Sequence, residues 1–158
     1  VTIRSMKISK HISLKEATHS ATAKRNGIDN SPTEAHLCNM QDVAHKLFEP
    51  VREHFNVPIA ITSFYRSNAL NEAIGGSKTS QHSTGEAIDI DADVYGRVTN
   101  GQLFDYIRSN ISFDQLIYEF GDDSNPDWVH FSYNTTGKNR NQVLRAYRMG
   151  GKTVYKNY

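Results

Sequence analysis

The sequence predicts an α+β domain in which N-terminal helices pack on a small, mainly antiparallel sheet. Helix-start signals with apolar residues at helical spacing crowd into the first third of the chain, and strand-like runs dominate from residue 57 onward. A length of 158 residues suits one domain with a single core, so residues 1–158 are taken as one unit.

Taken in order, Ser13-Leu14-Lys15-Glu16 has the pattern of a capping box and opens a short helix that Asn26-Gly27 closes. Ser31-Pro32-Thr33-Glu34 is a second start, with serine as the expected N-cap and proline at the first helical position. The helix that follows carries Leu37, Met40, Ala44, Leu47, Phe48, Val51 and Phe55 along one face, and Pro50 is expected to kink it. Cys38, the only cysteine, cannot form an internal disulfide and reads as a small core residue of this helix. Val57 to Phe64 reads as a strand, and Ser67 to Ile74 as a helix ended by Gly75-Gly76. Glu86 to Asp91 alternates as a strand, with Ala87, Asp89 and Asp91 on one face and Ile88 and Ile90 on the other. A helix over about Gly101–Ser109 and strands over 115–120 and 128–132 complete the centre.

Charge excludes one broad function class. Eighteen Lys and Arg against seventeen Asp and Glu leave a formal charge of +1, which argues against a general nucleic-acid binder. The balance is uneven: from Lys138 to Tyr158 there are six basic residues and no acidic ones. That C-terminal segment reads as a solvated surface, or as a contact for an anionic polymer. No apolar run is long enough to span a membrane, and the opening VTIRSMKISKHISL lacks the apolar centre of a secretory signal.

The chemistry concentrates in Ser80-Gln81-His82-Ser83-Thr84-Gly85-Glu86-Ala87-Ile88-Asp89 and in Asp127-Trp128-Val129-His130. Imidazole nitrogen and carboxylate oxygen are good Zn²⁺ donors, and a catalytic zinc takes three protein ligands and keeps one open position. His82, Asp89 and His130 supply three, and Gly85 lets the backbone turn so that the first two converge. Asp127 is a candidate base beside the metal. Strict alternation from Asp127 would set it on the face opposite His130, whereas Pro126 suggests an irregular strand entry that leaves its direction free. Glu119 is the alternative base; Asp91 is either solvated or a support for a ligand; Trp128 and Tyr118 are either core or cleft wall. Ser80 lacks the surroundings of a nucleophile. The remaining histidines, at 11, 19, 36, 45 and 54, read as surface groups.

Ser80-x-His82-x-x-Gly85-x-Ala87-x-Asp89, Asp127-x-x-His130 and the upstream Thr62-Ser63-Phe64-Tyr65-Arg66-Ser67 together resemble the zinc D-alanyl-D-alanine carboxypeptidases and L-alanyl-D-glutamate endopeptidases. The likeness is strongest to the phage-type, single-domain members and spans roughly residues 10–135. It implies the Hedgehog/DD-peptidase fold, one zinc held by His82, Asp89 and His130, Asp127 as general base, and Arg66 on the substrate carbonyl or its oxyanion. It further implies a monomer that hydrolyses an amide bond of the peptidoglycan stem peptide in the periplasm or cell wall, reached by phage release, processing or another export route. Endopeptidase is the expected mode, because the short chain offers no added domain to close one end of a groove. D-Ala-D-Ala carboxypeptidase and a non-catalytic zinc-bearing module, as in Hedgehog signalling domains of this fold, are the alternatives. Phe64 departs from the pattern, standing where glycine is expected, and would narrow the cleft beside Arg66.

Overall fold

The computed structural model describes residues 6–158. A two-stranded hairpin, β1 (Lys7–Ser9) and β2 (Ile12–Ser13), precedes two short helices, α1 (Leu14–Thr18) and α2 (Ala21–Asn26), where the sequence suggested one. Ser13 Oγ accepts from the Glu16 N–H, and Gly27 ends α2 in the left-handed region at φ 63°. Helix α3 (Glu34–Val43) starts later than expected. Its N-cap is Thr33, whose side chain accepts from the His36 N–H, so Ser31 and Pro32 lie outside it. Helical bonding then continues through a π turn (Ala44–Phe48) into α4 (Glu49–Phe55). Pro50 sits in the first turn of α4, where its missing N–H costs little; the irregularity is the wide turn ahead of it.

Six strands form the main sheet in the order β3 (Ala60–Ser63), β4 (Ala87–Asp91), β6 (Trp128–Ser132), β5 (Gln115–Glu119), β7 (Gln142–Met149), β8 (Lys152–Asn157). All neighbours run antiparallel except β5 and β7. Helix α5 (Asn68–Ala73) follows β3, and α6 (Asn100–Asn110) follows β4 with a complete capping box at Thr99 and Gln102.

One face of the sheet is core. Ile88 and Ile90 of β4, Val129 and Phe131 of β6, and Leu116 and Tyr118 of β5 are buried in one cluster with Met40, Val43, Leu47, Phe48 and Val51 from α3 to α4 and Leu103 and Phe104 from α6. Each such side chain contributes roughly 1.5–3 kcal/mol of burial, which fixes register, since a one-residue slip would turn every strand over. Cys38 is exposed and off that apolar face, contrary to the core reading. Phe64 is 1% exposed and belongs to the same cluster, so it packs inward and does not narrow the cleft. The basic C-terminal segment is built into the sheet as β7 and β8, which continue it from β5, and β8 is largely exposed. Among the described residues no helix is long and apolar enough to cross a membrane.

Candidate metal centre

The opposite face of the sheet floors a cavity of about 940 Å³. Strand alternation aims the lining residues. With Ile88 and Ile90 in the core, Asp89 points the other way, and with Val129 and Phe131 in the core, Trp128 and His130 do too. Antiparallel register sets Asp89 directly opposite His130. His82 arrives from the 3₁₀ turn Gln81–Thr84 ahead of β4. That turn needs Gly85, which sits at φ 76°; a Cβ there would lie 2.6 Å from Met40 Cγ and 2.8 Å from the His36 carbonyl oxygen.

Donor atoms of His82, Asp89 and His130 all lie within 4.8 Å of one another. Asp89 Oδ1 is 2.8 Å from His130 Nδ1 and 3.3 Å from His82 Nε2. Tetrahedral bonds of about 2.0–2.1 Å would set donor atoms roughly 3.3 Å apart, close to this spacing. His82 is 1% exposed, and its Nδ1–H donates to the Phe64 carbonyl at 2.7 Å. Its Nε2 therefore carries the lone pair. Although it stands 3.3 Å from the Asp89 carboxylate, it has no hydrogen-bond partner. Two acceptors facing each other in a buried site call for a cation between them, and the Phe64 carbonyl fixes the tautomer such a ligand needs. Burial holds His82 below its ordinary pKa, and Asp89 beside it does not reverse the direction. Burial would raise the Asp89 carboxyl, but His82 and His130 outweigh it and hold it well below the usual carboxylate range. A neutral imidazole and an ionised carboxylate are the forms that bind zinc.

Arg66 lines the cavity, held by its N–H to the His82 carbonyl at 3.1 Å and by its Nη1 to Asn71 Oδ1 at 3.3 Å. Its Nε is buried without a partner. Burial pulls the guanidinium below its ordinary pKa, with Asp89 and Glu119 opposing.

Asp127 does not join the site. It is exposed and does not line the cavity. It lies in a bend just ahead of β6, the irregular entry that Pro126 suggested, and its backbone N–H bonds the Glu119 carbonyl at 2.9 Å although Glu119 pairs in register with Trp128; this entry leaves the carboxylate exposed. Glu119 stands where Asp127 was expected. It is 7% exposed, lines the cavity, and is pushed up to about 7, chiefly by burial, with His130 opposing and Asp89 reinforcing. The signal was present in the sequence: a carboxylate at the end of the apolar run Leu116-Ile117-Tyr118 has to be accounted for. Asp91 does not support a ligand; it accepts from Asn100 and from the Asp93 N–H and so caps the 3₁₀ turn after β4. Trp128 is cleft wall and Tyr118 is core.

No curated protein matches the sequence. A family model described as Peptidase M15 matches residues 10–132, most of the chain and all three members of the His-Asp-His cluster, and M15 peptidases are zinc enzymes. The chain belongs to the peptidase M15 family, which supports a zinc metallopeptidase.

Proposed function

We propose that the protein is a zinc-dependent endopeptidase acting on the peptidoglycan stem peptide. The observation that carries the metallopeptidase core of this reading is the unpartnered Nε2 of His82, buried and facing Asp89 beside His130 at the base of a cavity that also holds Glu119 and Arg66. The preference for endopeptidase rests on the cavity, which runs from the loop after α5 past His82, Asp89 and His130 to the β7–β8 hairpin and so would leave room for a chain on either side of that cluster.

His82, Asp89 and His130 would hold the zinc, which supplies Lewis-acid polarisation of water and of the scissile carbonyl when bound. Glu119 takes the proton from the attacking water on its carboxylate and returns it to the leaving amine nitrogen. Its raised affinity for a proton suits both halves of that transfer. Arg66 directs guanidinium N–H groups at the carbonyl oxygen, where negative charge grows in the transition state. A pure binding module has no need of a buried carboxylate in this position. The lysines of β8, Lys152 and Lys156, are exposed and would meet the anionic wall polymer.

Digestion of purified peptidoglycan by the zinc-loaded protein, with new termini identified by mass spectrometry, tests the reading. New amine and carboxyl termini inside the stem peptide support it. Release of terminal D-alanine alone would replace it with the carboxypeptidase mode, and intact peptidoglycan would overturn it.

A further inference from the structure

We propose that Arg148, on a hairpin outside the family match, is a specificity-determining residue that binds a carboxylate of the substrate peptide. The proposal rests on the peptidase reading of the cavity.

The family match stops at residue 132, yet the cavity does not. Parallel register sets Leu144 beside Ile117 and Ala146 beside Glu119, and on β8 Tyr155 pairs with Ala146 and Thr153 with Arg148. The face that carries the His-Asp-His cluster thus runs on through the hairpin, and Leu144, Arg148, Thr153 and Tyr155 line the same cavity. A two-residue turn, Gly150-Gly151 at φ 58° and 76°, brings β8 back in register.

Among the described residues three arginines line the cavity. Arg140 is committed to Asp114 at 2.8 Å, and Arg66 is held beside the metal cluster. Arg148 has no carboxylate partner among the described residues. Its guanidinium lies 4.2 Å from the centroid of the Phe120 ring. Phe120 is itself pinned, with its N–H on the Ala146 carbonyl at 3.1 Å and its ring 5.3 Å from that of Trp128. An arginine held over a ring by its charge has its guanidinium positioned while N–H groups stay free, and a guanidinium can take a carboxylate through two parallel hydrogen bonds.

Position sets which carboxylate. Arg148 lies two residues along β7 from Ala146, which neighbours Glu119. That separation puts its Cα roughly 8 Å from that of Glu119, given about 3.3 Å per residue and about 4.8 Å between strands. The guanidinium then meets a group one or two residues from the reacting amide. A stem peptide offers two there, the α-carboxylate of its γ-linked D-glutamate and its terminal carboxylate.

The test uses full-length, zinc-loaded Glu119→Gln protein, with and without Arg148→Gln, and measures binding of the pentapeptide L-Ala-γ-D-Glu-L-Lys-D-Ala-D-Ala by calorimetry. The same peptide with its glutamate α-carboxylate amidated, and again with its C-terminus amidated, completes the set. Arg148→Gln should weaken the free acid about tenfold. Whichever amidated peptide then binds both proteins alike identifies the carboxylate. Arg148→Lys should recover only part of the loss, because it keeps the charge without the fork. Equal binding of the free acid to both proteins, equal weakening of all three peptides, or no binding of any peptide would each overturn the proposal. Unchanged melting temperatures exclude misfolding as the cause. If wild type cleaves no stem peptide but the Arg148 dependence holds, the peptidase reading fails and the carboxylate subsite stands. Cleavage without that dependence gives the reverse.

Discussion

Strands β4 and β6 lie in the middle of the sheet with strands on both sides and helices on the core face, whereas β7 and β8 run out to its edge and leave Met149, Lys152, Tyr155 and Lys156 exposed. Both pairs face one cavity. The central pair holds its groups by register and buried hydrogen bonds, as in the Asp89–His130 pairing and the His82 contact with Phe64. The edge pair offers an arginine on a ring and a tyrosine over half exposed. Rigid placement suits groups that must meet a metal within tenths of an ångström, and an accessible rim suits groups that select what enters. The difference predicts that substitutions in the centre abolish turnover while those on the hairpin change preference.

The largest effect should come from the centre. His82→Ala removes the one donor with no other partner, so the protein should lose its zinc by elemental analysis and its turnover by at least about 10³-fold, since Lewis-acid activation goes with it. Full activity in zinc-free protein would break the comparison at its base.

A smaller effect separates two carboxylates, Glu119 at the end of β5 and Asp127 just ahead of β6. Glu119→Gln should keep the metal and lower kcat on the order of 10²–10⁴-fold, whereas Asp127→Asn, exposed outside the cavity, should stay within about twofold. The pH profile carries the same information. A base works deprotonated, and burial pushes Glu119 up to about 7, so the rate should rise with pH through an acidic limb. A bound dication lowers that value, which sets the limb at or below about pH 7. A dead Asp127 variant beside a working Glu119 variant would exchange the two roles.

The contrast between centre and edge also describes what could be read from the sequence. Ile88 and Ile90 alternate with Asp89, and Val129 and Phe131 flank His130, so the strand period alone aimed both candidate ligands away from the core. At Asp127 the period does not apply, because the chain enters β6 through a bend as Pro126 suggested, and no local pattern says which way that bend turns the carboxylate; it turns it to solvent, outside the cavity. Cys38 was misplaced because it lies two residues before Met40 and so far around the helix from the buried face. The β7–β8 hairpin was not legible as structure, because its strands carry Arg145, Arg148, Lys152 and Lys156. Composition reads those as a solvated segment, while in the sheet Arg145 reaches Asp123 at 2.7 Å and stacks 4.7 Å from the Tyr118 ring centroid. Pairing with β5 is a long-range event that no local pattern announces.

The smallest predicted effect concerns the tie between the two regions. Asp114 is 3% exposed just ahead of β5 and accepts from the Arg140 backbone N–H at 3.0 Å, from Arg140 Nε at 2.9 Å and from Gln81 Nε2 at 3.1 Å. It therefore joins the entry to β7 to the turn that carries His82. The Arg140 hydrogen bonds hold the Asp114 carboxyl below its ordinary pKa, outweighing burial, which would raise it. A carboxyl lowered on folding contributes stability that is present above its unfolded value near 3.8 and is lost as pH falls through and below it. The Arg140 side chain is 56% exposed, so solvent screens the pair, and Arg140→Ala should cost only about 1 kcal/mol of unfolding free energy at pH 7. Most of that cost should vanish as pH falls below 3.8 and through the lowered folded value, where wild type also loses the ionised partner. Amide exchange should show the loss locally, with β7 and β8 opening more often and β4 and β6 keeping their protection. Uniform loss of protection across all six strands would mean that the hairpin folds as one unit with the centre, and the division between a rigid catalytic middle and a separable selective edge would fall.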